Sequence, residues 1–559
     1  MNGSYPYDGY PVHGSEADVR VPRSFTKAET VFAWLSLFFG YLFCRVVPVH
    51  NNPFGGFLFI LALFVGAAVL LALEKRRPTP LAIGVGVSAV LLSVSLFLTD
   101  NSVIVTFAYL YCLGALLYFL SAAYENGEKG FSPYLVFDFV RACFYLPILS
   151  VKELFALLFR PRENGGGRML LKVFGGILLA IIPTAIVSSL LSYDSGFTGI
   201  IDRIFDFDVG KFFSHVFSVL FAFPIGAFLF GAMLSAKDKK GERENGATLY
   251  EEKLSALQLL PSLTATLTVL PILFLYVIFF ISQWEYYTSG FVGALPDEVS
   301  YAEYAREGFF QLMGVAILNF ILVIGISLFL KKKNRLTEVV QKLLCCLLSL
   351  STLILISTAI AKMVLYIKRF GLTPKRVYAT WFMGLLAVLF VLVIVRQFIR
   401  SFRLVSVSAV ACILLFTLLA LSGVDGIIAD YNIDRYLEGS LEDADIEALE
   451  ELGYAAVPAL CRLAEHLDAK LGRDMSQWKY GDFVADLKEN EKPDERVKLY
   501  HKLAVILYRM AEEYEKEFFA LSIPRVRAER AFEEIGIETG ERDRSEDEDQ
   551  EKQAEEGYL

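Results

Sequence analysis

The sequence predicts an all-α polytopic transmembrane helix bundle of about 11 spans, carrying a small C-terminal extracytoplasmic helical domain. Three observations predict it. The 559 residues are 55% hydrophobic and only 21% charged, with a mean hydropathy of +0.48, which is too apolar for a soluble enzyme of this size. Eleven runs each supply roughly the 20 apolar residues needed to cross a hydrocarbon core of about 30 Å. The composition then switches at Gly423: before it stand 35 Lys+Arg and 26 Asp+Glu, after it 18 and 36, so a net −18 segment follows a net +9 one.

Residues 1–29 are polar and rich in Gly, Tyr and Pro, and are read as a disordered cytoplasmic tail ahead of an uncleaved first span. The spans follow at 30–49, 54–73, 79–98, 103–123, 169–192, 214–236, 254–282, 309–330, 339–366, 377–395 and 404–422. All are expected to be helices, because lipid offers no partner to an open strand edge. Two more apolar stretches read as interfacial helices, near 131–159 and near 197–212. The first carries Asp138, Arg141, Lys152 and Glu153 around Pro147; the second places Phe197, Ile200, Ile201, Ile204 and Phe205 on one face.

Orientation follows from where Lys and Arg fall. With the N-terminus inside, 26 of the 35 cations of the bundle are cytoplasmic, and the acidic domain is outside. Five of the remaining nine, Lys362, Lys368, Arg369, Lys375 and Arg376, fall at one outer connection, against the rule. Such a loop calls for a compensating partner, either anionic headgroups or the acidic domain itself. We expect the domain to rest on this loop.

Residues 423–537 read as an acidic helical domain. Acidic residues open the segment from Asp443, Pro458 suits a first helical turn, and Leu499, Leu503, Ile506, Leu507, Met510, Tyr514 and Phe518 repeat at helical spacing. The charged remainder, 538–559, is expected to be a disordered acidic tail.

Three segments stand out as motifs. Tyr301-Ala-Glu-Tyr-Ala-Arg-Glu-Gly-Phe-Phe-Gln311 leads into the eighth span, with Tyr301, Tyr304, Arg306 and Phe309 as candidate contacts or, more plainly, as an aromatic anchor at the boundary. Arg369-Phe-Gly-Leu-Thr-Pro-Lys-Arg-Val-Tyr378 leads into the tenth. Asp430-Tyr-Asn-Ile-Asp-Arg-Tyr-Leu437 follows the last, and its Asn432 and Arg435 lie one turn apart, able to bond to nearby backbone. Ser522-Ile-Pro-Arg-Val-Arg-Ala-Glu-Arg530 is a weaker echo. Over residues 170–535 these segments resemble the bacterial multi-pass membrane proteins of domain of unknown function 4173 and its relative 4153. The resemblance implies a bacterial plasma-membrane protein with a C-terminal appendage and carries over no activity.

Chemistry-bearing patterns are sparse. The seven cysteines form no CxxC pair, the five histidines are scattered, and no HExxH, GxSxG or GxxxxGK occurs. No enzyme, cofactor or metal is therefore expected. Partners are expected to be the lipid bilayer and, as a candidate, an envelope or signalling protein; nothing in the charge distribution calls for nucleic acid. The alternative is a transporter or lipid-handling protein. Its path would run near the seventh span, where Pro261 and Pro271 bracket Thr264 and Thr268, and the ninth, where Ser351, Thr358 and Lys362 share a side. Lys362, near its helix end, is expected to snorkel outward.

Overall fold

The computed structural model describes residues 23–47, 52–126, 133–158, 209–239, 255–282, 301–331, 335–399, 401–475, 495–514 and 521–539, with a few single positions besides. Among them, ten helices are long and apolar enough to cross a membrane, and they coincide with ten of the eleven expected spans. The fifth, 169–192, lies outside the described residues, as do the terminal tails and the amphipathic stretch at 197–205.

The first half of the bundle contains α1 (Lys27–Val46), α2 (Pro53–Leu73), α3 (Pro80–Ser93) continued by the short α4 (Ser95–Leu98), and α5 (Ser102–Ala123). Each start is specified locally. Thr26 and Glu29 form a capping box on α1, Thr79 and Asn101 cap α3 and α5 through their side-chain oxygens, and prolines occupy the first turn of α2 and α3. The long α9 (Val209–Lys237) lies against α1, and two glycines permit the approach. A Cβ on Gly40 would lie 2.5 Å from the Ala222 carbonyl oxygen, and one on Gly226 2.9 Å from that of Ser36. At one end of this half, Glu29 is buried and paired with Arg23 at 3.0 Å and Lys237 at 2.9 Å. Lys237 also reaches Glu74 at 2.7 Å, and the Tyr124 hydroxyl donates to the same carboxylate at 2.8 Å.

The stretch expected to be interfacial is a broken helix: α6 (Leu135–Val140), a π-helical turn (Arg141–Tyr145), α7 (Leu146–Leu149) and α8 (Val151–Leu158). It is not among the candidate spans, yet it wedges into the first half, burying Ala142, Leu146 and Leu154. Ser235 of α9 donates to Ser150 at 2.8 Å.

The second half has its own core, formed by α10 (Ser262–Ser282), α11 (Tyr301–Phe329), α12 (Arg335–Phe370) and α13 (Pro374–Phe398). The last span, α14 (Leu404–Leu421), joins the halves: Phe416 meets Phe107 of α5 and Trp381 of α13, both edge to face, and Trp381 donates to the Leu415 carbonyl at 3.2 Å.

Gly423, left-handed at φ +64°, ends α14 and turns the chain into α15 (Val424–Leu437). Beyond it, α16 (Ile446–Glu450), α17 (Val457–Leu471), α18 (Glu495–Glu512) and α19 (Ile523–Glu534) pack around Leu460, Leu463, Leu507 and Phe532. This core is continuous with that of the first half of the bundle. The domain therefore packs on the membrane helices rather than hanging from a linker.

Candidate functional site

One group of buried polar side chains, Thr99, Asp425, Asn432, Ser522 and Arg525, lies where the C-terminal domain meets the bundle. One part of the junction is the connection between α12 and α13. Gly371 ends α12 in the left-handed region at φ +76°, and the next residue, Leu372, offers its backbone sideways. The Asn432 carboxamide takes both groups: its Oδ1 accepts from the Leu372 N–H at 2.7 Å and its Nδ2 donates to the Leu372 carbonyl at 2.9 Å. One turn further along α15, Arg435 donates to the Lys368 carbonyl at 2.7 Å, to Ser440 at 3.0 Å, and packs over the Tyr431 ring. The glycine is needed twice over, since a Cβ at 371 would also lie 2.5 Å from Asn432 Oδ1.

The second part is the turn between α4 and α5. Asp425, on the first turn of α15 and 3% exposed, accepts from Asn101 Nδ2 at 3.0 Å and from the Thr99 hydroxyl at 3.3 Å. The Tyr378 hydroxyl of α13 is buried beside it. Burial pushes the Asp425 carboxyl above the ordinary carboxylate range, against the pull of the Asn101 and Thr99 hydrogen bonds, and neighbouring Asp100 pushes it further. Asp100 is raised by burial too, while the Ser522 hydroxyl and the Arg525 guanidinium draw it back. Ser522 caps α19, accepting from the Arg525 N–H at 3.3 Å, and Arg525 stacks 5.0 Å over the Tyr454 ring. The junction thus links α5, α12, α13 and three elements of the C-terminal domain without a break.

The basic loop does meet the acidic domain, but not chiefly by charge. Arg369 pairs with Glu442 at 3.0 Å, and both are exposed, which makes the pair a weak contribution. Arg376, in the first turn of α13, instead closes the preceding helix, α12. It donates to the Phe370 carbonyl at 2.8 Å and to that of Gly371, and lies 4.3 Å over the Tyr366 ring, satisfying carbonyls that a helix end leaves open. The side chains of Lys368 and Lys375 are exposed. Lys362 does not snorkel: it is only 7% exposed and turned into α11, where a Cβ on Gly308 would meet its Nζ at 2.9 Å. The small face of Gly308 opens a recess for the long side chain within the helix pair.

Of the first motif, Phe309 is fully buried and stacks edge to face on Phe310. Tyr301, Tyr304 and Arg306 lie in the first turns of α11, with side chains outside the described residues. Thr264 and Thr268, expected to face a path, are exposed on α10, where Thr268 donates to the Thr264 carbonyl. The polar groups that do meet within the spans are others: Tyr276 donates to Asn319 at 2.8 Å, and Asn319 donates to Thr352 at 2.8 Å, tying α10, α11 and α12. In the ninth span, Thr358 and Lys362 are buried and Ser351 is half-buried.

Sequence reasoning missed Asp100, Asn101, Asp425 and Asn319. The signal for the first two was available, since Thr99-Asp-Asn101 is a capping sequence between two apolar runs. Asp425 offered none, because an acidic residue in a first helical turn is ordinary.

This architecture defines an all-α polytopic membrane protein in which the last span leads, through one left-handed glycine, into a helical domain seated on the bundle. Residues 86–463 match the family described as Domain of unknown function (DUF4153), and the chain belongs to that family. Of the two relatives that the motifs resemble, 4153 is thus the one found. The match starts inside α3, earlier than the resemblance reached, and ends within α17; it takes in all three main motifs and leaves out the echo at 522–530. No curated protein and no solved structure matches the chain.

Proposed function

We propose that this protein is a non-enzymatic component of a bacterial plasma membrane, with a cytoplasmic N-terminus and an extracytoplasmic C-terminal domain. In this reading the domain binds an envelope or signalling partner and biases the packing of the spans. The observation that carries it is the Asn432 carboxamide held on the Leu372 backbone. A helix of the domain is thereby fixed to the connection between α12 and α13, while Asp425 fixes the same helix to the α4–α5 turn of the other half. A change of tilt in α15 must act on both halves of the bundle at once. The positive-inside count supports the orientation.

Single cysteines at Thr373 and Ser476, in a chain cleared of its seven native cysteines, test the reading in intact cells with a membrane-impermeant maleimide. Labelling of both supports it. Labelling of either one only after permeabilisation overturns the orientation and, with it, an envelope partner for the domain. A second reading, transport or lipid handling near the seventh and ninth spans, draws on the chain from half-buried Tyr276 through buried Asn319 to Thr352 between those helices.

A further inference from the structure

From Lys362 to Arg376 the connection between α12 and α13 carries five cations and no acidic residue, and the C-terminal domain offsets little of that charge. Arg369 has the exposed Glu442, while Arg376 directs its donors to helix-end carbonyls. Lys368 and Lys375 are exposed, and neither side chain makes a hydrogen bond or an ion pair among the described residues. The excess positive charge therefore stays at this turn. The turn is also held in place: Asn432 grips the Leu372 backbone and Arg435 the Lys368 carbonyl, so both ammonium groups are presented from a fixed base.

The helix sets their depth and direction. Lys342 and Lys368 stand near the two ends of α12, 26 residues apart, which is about 39 Å of helix. Lys362 is the one charged residue between them, and it is turned into α11. A bilayer measures about 30 Å across its hydrocarbon and about 40–45 Å with its headgroups, so Lys368 falls at headgroup level. Leu350, Ile354, Ala361, Val364 and Lys368 follow one another along one side of α12, at intervals of four and seven residues, and all are exposed. An apolar side of this kind faces hydrocarbon in a bilayer, and Lys368 at its end meets the headgroup of the lipid lying against it. We propose that the turn between α12 and α13 binds the headgroup of an anionic phospholipid, of the phosphatidylglycerol class, through Lys368 and Lys375. A phosphodiester with no cation of its own complements two lysines that have no carboxylate, whereas a zwitterionic headgroup brings an ammonium to the same place. The proposal goes beyond the coupling reading and does not rest on it, because headgroup preference is the same whichever side of the membrane the turn faces.

The test places a fluorophore on Val364→Cys, one turn below Lys368 on the same exposed side, in the full chain cleared of its seven native cysteines. Phosphatidylcholine nanodiscs then receive doxyl-labelled phosphatidylglycerol or doxyl-labelled phosphatidylcholine at equal mole fraction, and the ratio of quenching gives the relative affinity of the two lipids at that spot. Phosphatidylglycerol should be preferred, and Lys368→Gln should reduce the preference by about fivefold, the effect of one cation near a membrane surface. Adding Lys375→Gln should reduce it further. The junction stays intact in both variants, since Arg435 holds the backbone carbonyl of Lys368 and not its side chain. The same label on Leu350→Cys, 18 residues and about 27 Å from Lys368 along the same side, should register neither substitution. Equal quenching by the two lipids with both lysines present, a preference unchanged in the double variant, or an equal loss at position 350 would each overturn the assignment; the first of these outcomes would leave the two lysines to an acidic protein partner.

Discussion

Replacing Asn432 with alanine removes both hydrogen bonds that hold α15 to the connection between α12 and α13, at 2.7 and 2.9 Å. Each Leu372 backbone group then loses its partner, and a buried group so stranded costs about 1–3 kcal/mol. The site is not sealed, since Asn432 itself is 9% exposed and water can enter the space vacated by the carboxamide. We therefore take the lower end for the pair together, about 2 kcal/mol, which multiplies the population of the undocked state by about 30. Limited proteolysis reads this directly: when opening and reclosing are fast relative to cleavage, the rate follows the open population. Cleavage after Ser422 should accelerate about 30-fold in Asn432→Ala at fixed protease. Wild-type cleavage in the variant would refute the reasoning, because it would mean that the carboxamide holds nothing that the rest of the junction does not hold already.

Gly371→Ala should loosen the junction at least as much, since a left-handed non-glycine residue costs about 1–2 kcal/mol before its Cβ meets Asn432; Gly371→Ala combined with Asn432→Ala should cost less than the two separately, as measured by the same cleavage rates. The raised carboxyls of Asp100 and Asp425 make docking pH-dependent: the docked state holds protons that the open state releases, so their stabilisation is complete below the ordinary value of about 3.9 and is lost as pH rises through the raised values. Cleavage should accelerate with pH across that window, and Asp425→Asn should flatten the profile. Arg369→Glu should change cleavage by less than about fivefold and lose its effect in high salt, because the exposed pair with Glu442 contributes at most about 1 kcal/mol. At the opposite end, Glu29→Gln removes a 1% exposed carboxylate while Lys237 keeps Glu74 and Arg23 keeps Asp238; a loss of about 1–3 kcal/mol should appear as a fall in the detergent melting temperature, with the cleavage rate after Ser422 unchanged.

How much of this was legible in the sequence depends on the range of the physics involved. The spans were legible because about 20 apolar residues suffice to mark each one, and Gly423 was legible as the point where composition changes. The loop at 362–376 was legible as an electrostatic anomaly, but its cations have separate fates that charge counting could not distinguish. Arg376 caps the helix it follows, Lys362 is sheathed by Gly308, and among the described residues Arg369 is the one paired with an acidic side chain of the domain. The contact that matters most at this connection uses a neutral amide and a glycine, neither of which alters hydropathy or net charge. Asn432 and its partner Leu372, sixty residues upstream, each lie in a motif, but nothing in the sequence joins the two motifs. Asp100 and Asp425 are brought together by a contact spanning more than 300 residues, and no local pattern encodes it. Thr264 and Thr268 failed for the opposite reason: a shared helical face was legible, but not which way it points.

Through one junction, α15 ties the C-terminal domain to both halves of the bundle. Hydrogen exchange on wild type and Asn432→Ala in the same detergent tests it most directly. Peptides covering 367–378 and 424–441 should gain exchange together in the variant, with 99–101 following because Asp425 sits on the same helix. Increased exchange confined to 424–441, with 367–378 and 99–101 as protected as in wild type, would contradict it.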